Sequence, residues 1–445
     1  MPPESSALLT DHYELTMLAA ALADGSADRR CSFEVFARGL PNGRRYGVVA
    51  GTGRLLDLIE DFRFGPSELA FLQDRGVVDS DTLDWLEAFR FNGDIWGYGE
   101  GDAFFPSSPI LIVEATFGAA VLLETLVLSA LNHDSAVAAA AARMRSAARG
   151  RRLVEMGARR THEQAAVASA RAAWIAGFDA TSDLAAGAQW GIPTTGTSGH
   201  AFVLLHDEEA SAFDAQVRTL GAGTTVLVDT YDIAAAVRSA VAIAGPDLGA
   251  VRVDSGDLDQ NVSEVRALLD SLGAKSTRIV VTGDLDEFRI EALAGAPVDA
   301  YGAGTSLVTG SGAPTAGLVY KLAAVGSADP SDPLLPVAKK SSGKQTQGGR
   351  KDAFRVVAAD GRATEEVVRL IDAADQRLPF SEPGMVSDGV RGLLRRLVVG
   401  GEIVGREPLS AARERHAIAM NELPPGSLDL AAGPPALPTH LEDES

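Results

Sequence analysis

A single cysteine, Cys31, stands in the 445-residue chain, which excludes an internal disulfide and any multi-cysteine metal site. Histidine is scarce as well, at seven residues. No HExxH motif or close histidine pair is present, so a zinc site has no sequence support. Positive charge is outweighed: 40 lysines and arginines face 60 acidic residues, for a formal charge of −20. Such a field repels a nucleic-acid duplex and argues against general binding to one. An anionic small molecule stays possible, because a local group of arginines and amides outweighs distant surface acids. Long apolar runs are missing too. The nearest approach, VLLETLVLSALNHDSAVAAAAARM, is interrupted by Glu124, His133 and Asp134 and reads as a buried helix, not as a membrane span of about 18 apolar residues. The opening MPPESSALLTDHYELTM lacks the basic region and apolar core of a secretory signal. Also absent is an early GxGxxG dinucleotide fingerprint. The expectation is a soluble cytoplasmic protein with no nucleic-acid or membrane partner.

What is present is an ordinary globular balance, 46% apolar and 22% charged, in a chain long enough for two or three domains. Residues 11–24 have helical spacing, SFEVFARG reads as a strand, and the alanine-rich stretch 117–177 reads as strongly helical. Four β-rich runs follow: TTVLVDTYD, GAVRVDSGD, STRIVVTGD and PVDAYGAGTS. Each ends in a polar or glycine-rich stretch, and the first three lead into helical segments, which is a βαβ signal. The pattern predicts a mixed domain over 1–125, a β/α barrel-like domain over 126–330, and a segment 331–445 that packs back on the first domain and ends in a frayed tail.

Chemistry-bearing residues gather after the strands, where the mouth of a barrel collects its loops. In VRVDSGD the period of two puts Arg252 and Asp254 on one face. They either brace the strand as a buried pair or offer a guanidinium to an anion. Gly283 and Asp284 in VTGDLDE, with Gly302, Gly304 and Thr305 in YGAGTSLVTG, supply close-approach backbone that suits a phosphate. Asp284 would repel that phosphate and fits an N-cap or a ribose-hydroxyl acceptor. Arg159 in MGARR is a candidate partner for a carboxylate. His200, in GIPTTGTSGHAFVLLH, is either a catalytic imidazole or a packed ring at the start of a strand. A metal ligand is the remaining alternative, and a nearby Asp or Glu would fix the tautomer of a catalytic ring, though sequence alone does not identify it.

Taken together, LLTDHYELTM, FARGLPNGRRYGVVAG, MGARR, GFDATSDLAAG, GIPTTGTSGHAF, VRVDSGDL, VTGDLDE, YGAGTSLVTG and PVAKKSSGK resemble, in order, the nicotinate phosphoribosyltransferase family. The resemblance implies an α/β fold: an irregular β/α barrel of the type II phosphoribosyltransferase kind, with a second mixed α+β domain built from both chain ends. It implies homodimers with shared active sites. The implied activity is condensation of nicotinate with phosphoribosyl pyrophosphate, in NAD biosynthesis, coupled to ATP and using Mg²⁺. His200 corresponds to the histidine that ATP phosphorylates, and Arg252 and Asp254 to residues near the ring and sugar. Gly283, Asp284, Gly302, Gly304 and Thr305 match the phosphate and ribose loops. Tyr13 matches a stacking residue given by the partner chain; Arg159, Met156, Asp183 and Thr197 belong to the substrate pocket.

Three positions depart from the pattern. Met156 replaces a more usual aromatic residue, and Gly199 a more usual alanine. Asp183 stands where nicotinate-using members often carry asparagine. A charged Asp183 near nicotinate's carboxylate is unfavourable: two like charges 4 Å apart oppose each other by about 4 kcal/mol at an effective dielectric near 20. That keeps nicotinamide as an alternative substrate. A non-catalytic phosphoribosyl-ligand-binding protein is the reading from a different class. The role of the basic stretch 336–351 stays open between closure over pyrophosphate and a surface loop.

Overall fold

The computed structural model describes residues 5–339, 347–372, 386–387 and 389–442. The chain divides into two compact units, Val137–Pro314 and the combination of Met1–Ala136 with Thr315–Ser445. The divisions fall at 136/137 and 314/315, where the sequence reading set 125/126 and 330/331.

The unit Val137–Pro314 is built on six short parallel strands: β1 (Arg152–Glu155), β2 (Ala180–Thr181), β3 (Thr225–Leu227), β4 (Ala250–Val253), β5 (Arg278–Val281) and β6 (Ala300–Ala303). Their spatial order is β2-β1-β6-β5-β4-β3, parallel throughout. Among the described residues β2 and β3 do not pair with each other, so the curled sheet is an open, irregular β/α barrel. Helices α1 (Glu163–Ile175), α2 (Leu184–Trp190), α3 (His200–Leu204), α4 (Glu209–Leu220), α5 (Ile233–Ala244), α6 (Leu258–Ser271), α7 (Glu287–Ala292) and α8 (Thr305–Val308) fill the connections. Val251 and Val253 on β4 and Ile279 and Val281 on β5 are buried, one face of each strand.

Strands β3 to β6 are the four apolar runs of the sequence. Strands β1 and β2 are corrections. The stretch 117–177 is not continuous helix: the helix Glu124–Ala147 ends and β1 intervenes before α1. The run after Gly199 is a five-residue helix, not a strand.

The second domain is mixed α+β and built from both chain ends. Its larger sheet runs Leu335–Pro336, Leu318–Val325, Arg30–Ala37, Leu111–Thr116, Asp94–Gly97, Arg395–Val399, Glu402–Ile403, antiparallel throughout. Phe33 stacks on Tyr320 at 4.8 Å in its core. A five-stranded sheet ends in Ala363–Leu370 paired in parallel with Thr439–Glu442. As far as Glu442 the tail is therefore paired, where fraying was expected. Leu430 and Leu437 are buried, and Ala436 N–H donates to the Arg45 carbonyl. Among the described residues no helix is long and apolar enough to cross a membrane.

His416, in the helix Leu409–Glu422, is buried with Nδ1 3.3 Å from the Gly101 carbonyl oxygen. Burial pushes its imidazole down to about 4, with Arg413 adding to the shift, while the Gly101 carbonyl and Asp102 oppose it. The unfolded chain, with a histidine near 6.5, then takes up more protons between those values, so stability falls as pH drops from about 6.5 toward 4, by about 3 kcal/mol in full. Thermal melts between pH 7 and 4 should show His416→Asn losing less Tm than the parent chain; equal losses would remove His416 as the cause.

Candidate active site

Three of the parallel strands end in residues that hydrogen-bond to one another. Arg252, on β4, donates from Nε to Thr282 Oγ1 at 2.9 Å, from Nη1 to Thr197 Oγ1 at 3.0 Å and from Nη2 to Asp254 Oδ1 at 3.1 Å. Thr282, just past β5, also donates its hydroxyl to Asp254. Burial alone would raise the Asp254 carboxyl; the Thr282 hydroxyl and the Arg252 charge more than offset it and hold it below the usual range. Asp254 is thereby kept as an anion at neutral pH.

His200 opens α3, after the turn that carries Thr197. Its Nε2 lies 3.3 Å from Asp229 Oδ1, with the ring 41% exposed and the carboxylate 2% exposed. That contact is not aligned as a hydrogen bond, and among the described residues Oδ1 has no hydrogen-bond partner. The second oxygen, Oδ2, accepts from Asp254 N–H at 2.9 Å and from Ser255 Oγ at 2.7 Å. Asp229 thus joins the imidazole to the Arg252–Asp254 pair. Sequence reasoning passed over it, although a signal existed: LVD at the end of β3 repeats the strand-then-aspartate pattern of VRVD.

The glycine-rich loops lie beside this set. Gly283 has φ +107, and a Cβ there would overlap the Asp254 carbonyl oxygen, so this crossing requires glycine. Asp284 follows, exposed and also at positive φ. It is not the expected N-cap: Asp286 takes that role, accepting from Arg289 N–H at 2.8 Å. Met156 packs its side chain where a Gly302 Cβ would stand, against Thr282. Gly304 caps the short α8, in which Thr305 is the first residue and is exposed. Eleven of the residues picked from sequence therefore border one stretch of strand ends: His200, Arg252, Asp254, Thr197, Gly283, Asp284, Gly302, Gly304, Thr305, Met156 and Asp183.

Asp183 is committed to the fold. Its Oδ1 accepts from Ala185 N–H at 2.8 Å and Ala186 N–H at 3.1 Å, capping α2. Arg159 is exposed on the turn after β1. Tyr13 belongs to the other unit, is 42% exposed, and has its hydroxyl raised by burial and by Glu124. Of the basic stretch 336–351, residues 340–346 lie outside the described residues. Among the described residues no group of three or more histidine, cysteine, aspartate or glutamate side chains is assembled for a metal.

Known proteins resemble the chain in sequence and in fold. The profile of the nicotinate phosphoribosyltransferase N-terminal domain matches residues 8–132. A nicotinate phosphoribosyltransferase of Mycobacterium tuberculosis is 54% identical over 444 residues, covering 98% of this chain and 95% of that protein. One from Bacillus subtilis is 35% identical over 373 residues, covering 81% and 75%. The crystal structure of human nicotinic acid phosphoribosyltransferase superposes with a TM-score of 0.81 at 26% identity, over 97% of each chain. On the strength of the sequence likeness and of the shared fold, the chain belongs to the nicotinate phosphoribosyltransferase family.

Proposed function

We propose that the chain condenses nicotinate with phosphoribosyl pyrophosphate to nicotinate mononucleotide and pyrophosphate, with ATP coupled through phosphorylation of His200. One observation carries the reading: His200, Asp229, Asp254, Arg252 and Thr282 form a contiguous set at adjoining strand ends. Glycines beside that set leave room for a sugar phosphate on main-chain N–H groups. The pyridine nitrogen attacks ribose C1 as pyrophosphate departs, and positive charge builds on the sugar. The ionised Asp254 favours that charge and accepts from ribose hydroxyls, while Arg252 meets the anionic substrate. Met156 packs on one face of the ring, and Arg159 and the partner subunit's Tyr13 complete the pocket in a homodimer. When bound with phosphoribosyl pyrophosphate, magnesium would neutralise the oxygens of the leaving pyrophosphate.

In this reading the ring proton sits on Nε2, toward Asp229, and Nδ1 of His200 keeps its lone pair. In the coupled step Nδ1 bonds to the γ-phosphorus of ATP while the bond to the ADP oxygen breaks. Phosphohistidine changes affinity only if it interacts unequally with substrate and product states. Its hydrolysis releases phosphate and resets the site. Nicotinate is preferred to nicotinamide in this reading because the Asp183 carboxylate already serves two N–H groups of α2.

The deciding experiment is a product assay with phosphoribosyl pyrophosphate and Mg²⁺, comparing nicotinate with nicotinamide, with and without ATP. Nicotinate mononucleotide should form and ATP should stimulate it. His200→Ala should lose that stimulation together with all acid-labile phosphate taken from ATP. Full stimulation in the variant would remove the phosphohistidine step, and faster turnover of nicotinamide would reverse the substrate assignment.

A further inference from the structure

The mechanism above leaves one deeply buried carboxylate unused. Glu155, the last residue of β1, is 1% exposed, and no cation is paired with it among the described residues. Burial holds its carboxyl above the usual range; the Thr181 hydroxyl and Gly157 N–H offset that only in part, and Asp183 adds to it. A chain that needed only packing here would gain from an apolar side chain, since a buried charge costs desolvation energy. The carboxylate is retained with two donors, and those donors come from different loops.

Its Oε1 accepts from Gly157 N–H, in the turn that carries Met156 and Arg159. Its Oε2 accepts from the Thr181 hydroxyl, at the end of β2. Thr181 is itself a junction. Its hydroxyl oxygen accepts from Asp183 N–H at 2.9 Å, its N–H donates to the Pro193 carbonyl at 3.0 Å, and its carbonyl accepts from Thr195 N–H at 2.9 Å. The last two bonds pin the start of the turn that continues through Thr197, bonded to Arg252, to His200. Gly157 has no slack either: a Cβ there would overlap Val308 and come within 2.8 Å of Glu155 Oε1.

We propose that Glu155, acting through Thr181, is a positioning residue that fixes the pyridine-side turn (Met156, Arg159) and the histidine turn (193–200) in one mutual register. It touches no substrate. The proposal rests on the function given above and names what aligns its two half-sites. Ionised, Glu155 accepts from both donors at once, and charge-assisted bonds of this kind are stronger and more directional than neutral ones.

The test uses Thr181→Val, Thr181→Ser and Glu155→Gln in the full chain, with thermal melts to confirm folding. Valine keeps the shape of threonine but removes the hydroxyl, so it orphans Glu155 Oε2 and Asp183 N–H together. It should raise the KM for nicotinate and slow phosphate uptake by His200, each by about tenfold, the scale set by orphaning a buried polar group. The KM for phosphoribosyl pyrophosphate should stay within about twofold, because Arg252 keeps Thr282 and Asp254. Thr181→Ser should restore both values, and Glu155→Gln should fall between. A nicotinate KM and an uptake rate within about twofold of the parent in both Thr181→Val and Glu155→Gln would overturn the proposal. So would a change in one quantity without the other. If Thr181→Val does not fold, Glu155→Gln against Thr181→Ser carries the same comparison. A parent chain that forms no nicotinate mononucleotide would instead overturn the function beneath it.

Discussion

Arg252→Ala should lower kcat/KM for phosphoribosyl pyrophosphate by about a hundredfold to a thousandfold, the usual loss when a preorganised donor to developing or substrate charge is removed. The guanidinium supplies more than its own charge. Without it Thr197 and Thr282 each lose a donor, and Asp254 loses the cation that helps hold it ionised. The variant should therefore show a raised Asp254 carboxyl as well as weaker binding, visible as an acid limb of the pH–rate profile moved upward. Arg252→Lys should recover little, because one ammonium cannot meet three acceptors set at the corners of a planar fork. Steady-state kinetics in both substrates check this. A loss under about tenfold, equal in the alanine and lysine variants, would make Arg252 a strand brace and no more.

The largest stability effect is expected at Glu366. Its carboxylate and the Arg355 guanidinium are both 0% exposed, with Arg355 Nη2 2.6 Å from Glu366 Oε2. Oε1 also accepts from the Tyr98 hydroxyl at 2.9 Å and from Ser108. Burial works against the charge on Arg355, but Glu366 and Asp102 outweigh it and hold the guanidinium above its ordinary range. Glu366→Ala would leave a buried cation and two hydroxyls without their acceptor, at a cost of about 3–5 kcal/mol. Arg355→Met with Glu366→Met should be far milder than either change alone, since both charges then disappear. Urea and thermal unfolding of the four variants check it; equal destabilisation in all of them would show that the pair's shape matters and its charge does not.

How much of this was legible in the sequence depended on the length of each element. Strands β3 to β6 could be read because each is an apolar run of three or four residues closed by Asp or Gly. Strand β1, with RLVE, follows an alanine-rich helix and precedes another, so helix propensity on both sides hid it. Strand β2 has two residues, too few for any periodicity. The histidine turn was misread for the same reason: a five-residue helix completes little more than one turn, and its apolar run fits a strand equally well. The tail was misread because THLE looks polar and unpatterned; its place comes from pairing with Ala363–Leu370 and from Leu437 beneath it. Site residues fared better, because strand-end Asp, Arg and Gly follow local patterns. Asp229 carried such a local signal and was passed over, while Glu155 escaped because what singles it out, its bond to Thr181, lies far away in the chain.

The pairing of Thr439–Glu442 with Ala363–Leu370 also sets an order of events during translation. The inner strand leaves the ribosome well before the strand that covers it, so its open edge waits while the intervening helix Leu409–Glu422 emerges. An uncovered edge recruits other chains. Slowing synthesis over that interval would give neighbouring nascent chains longer to meet there.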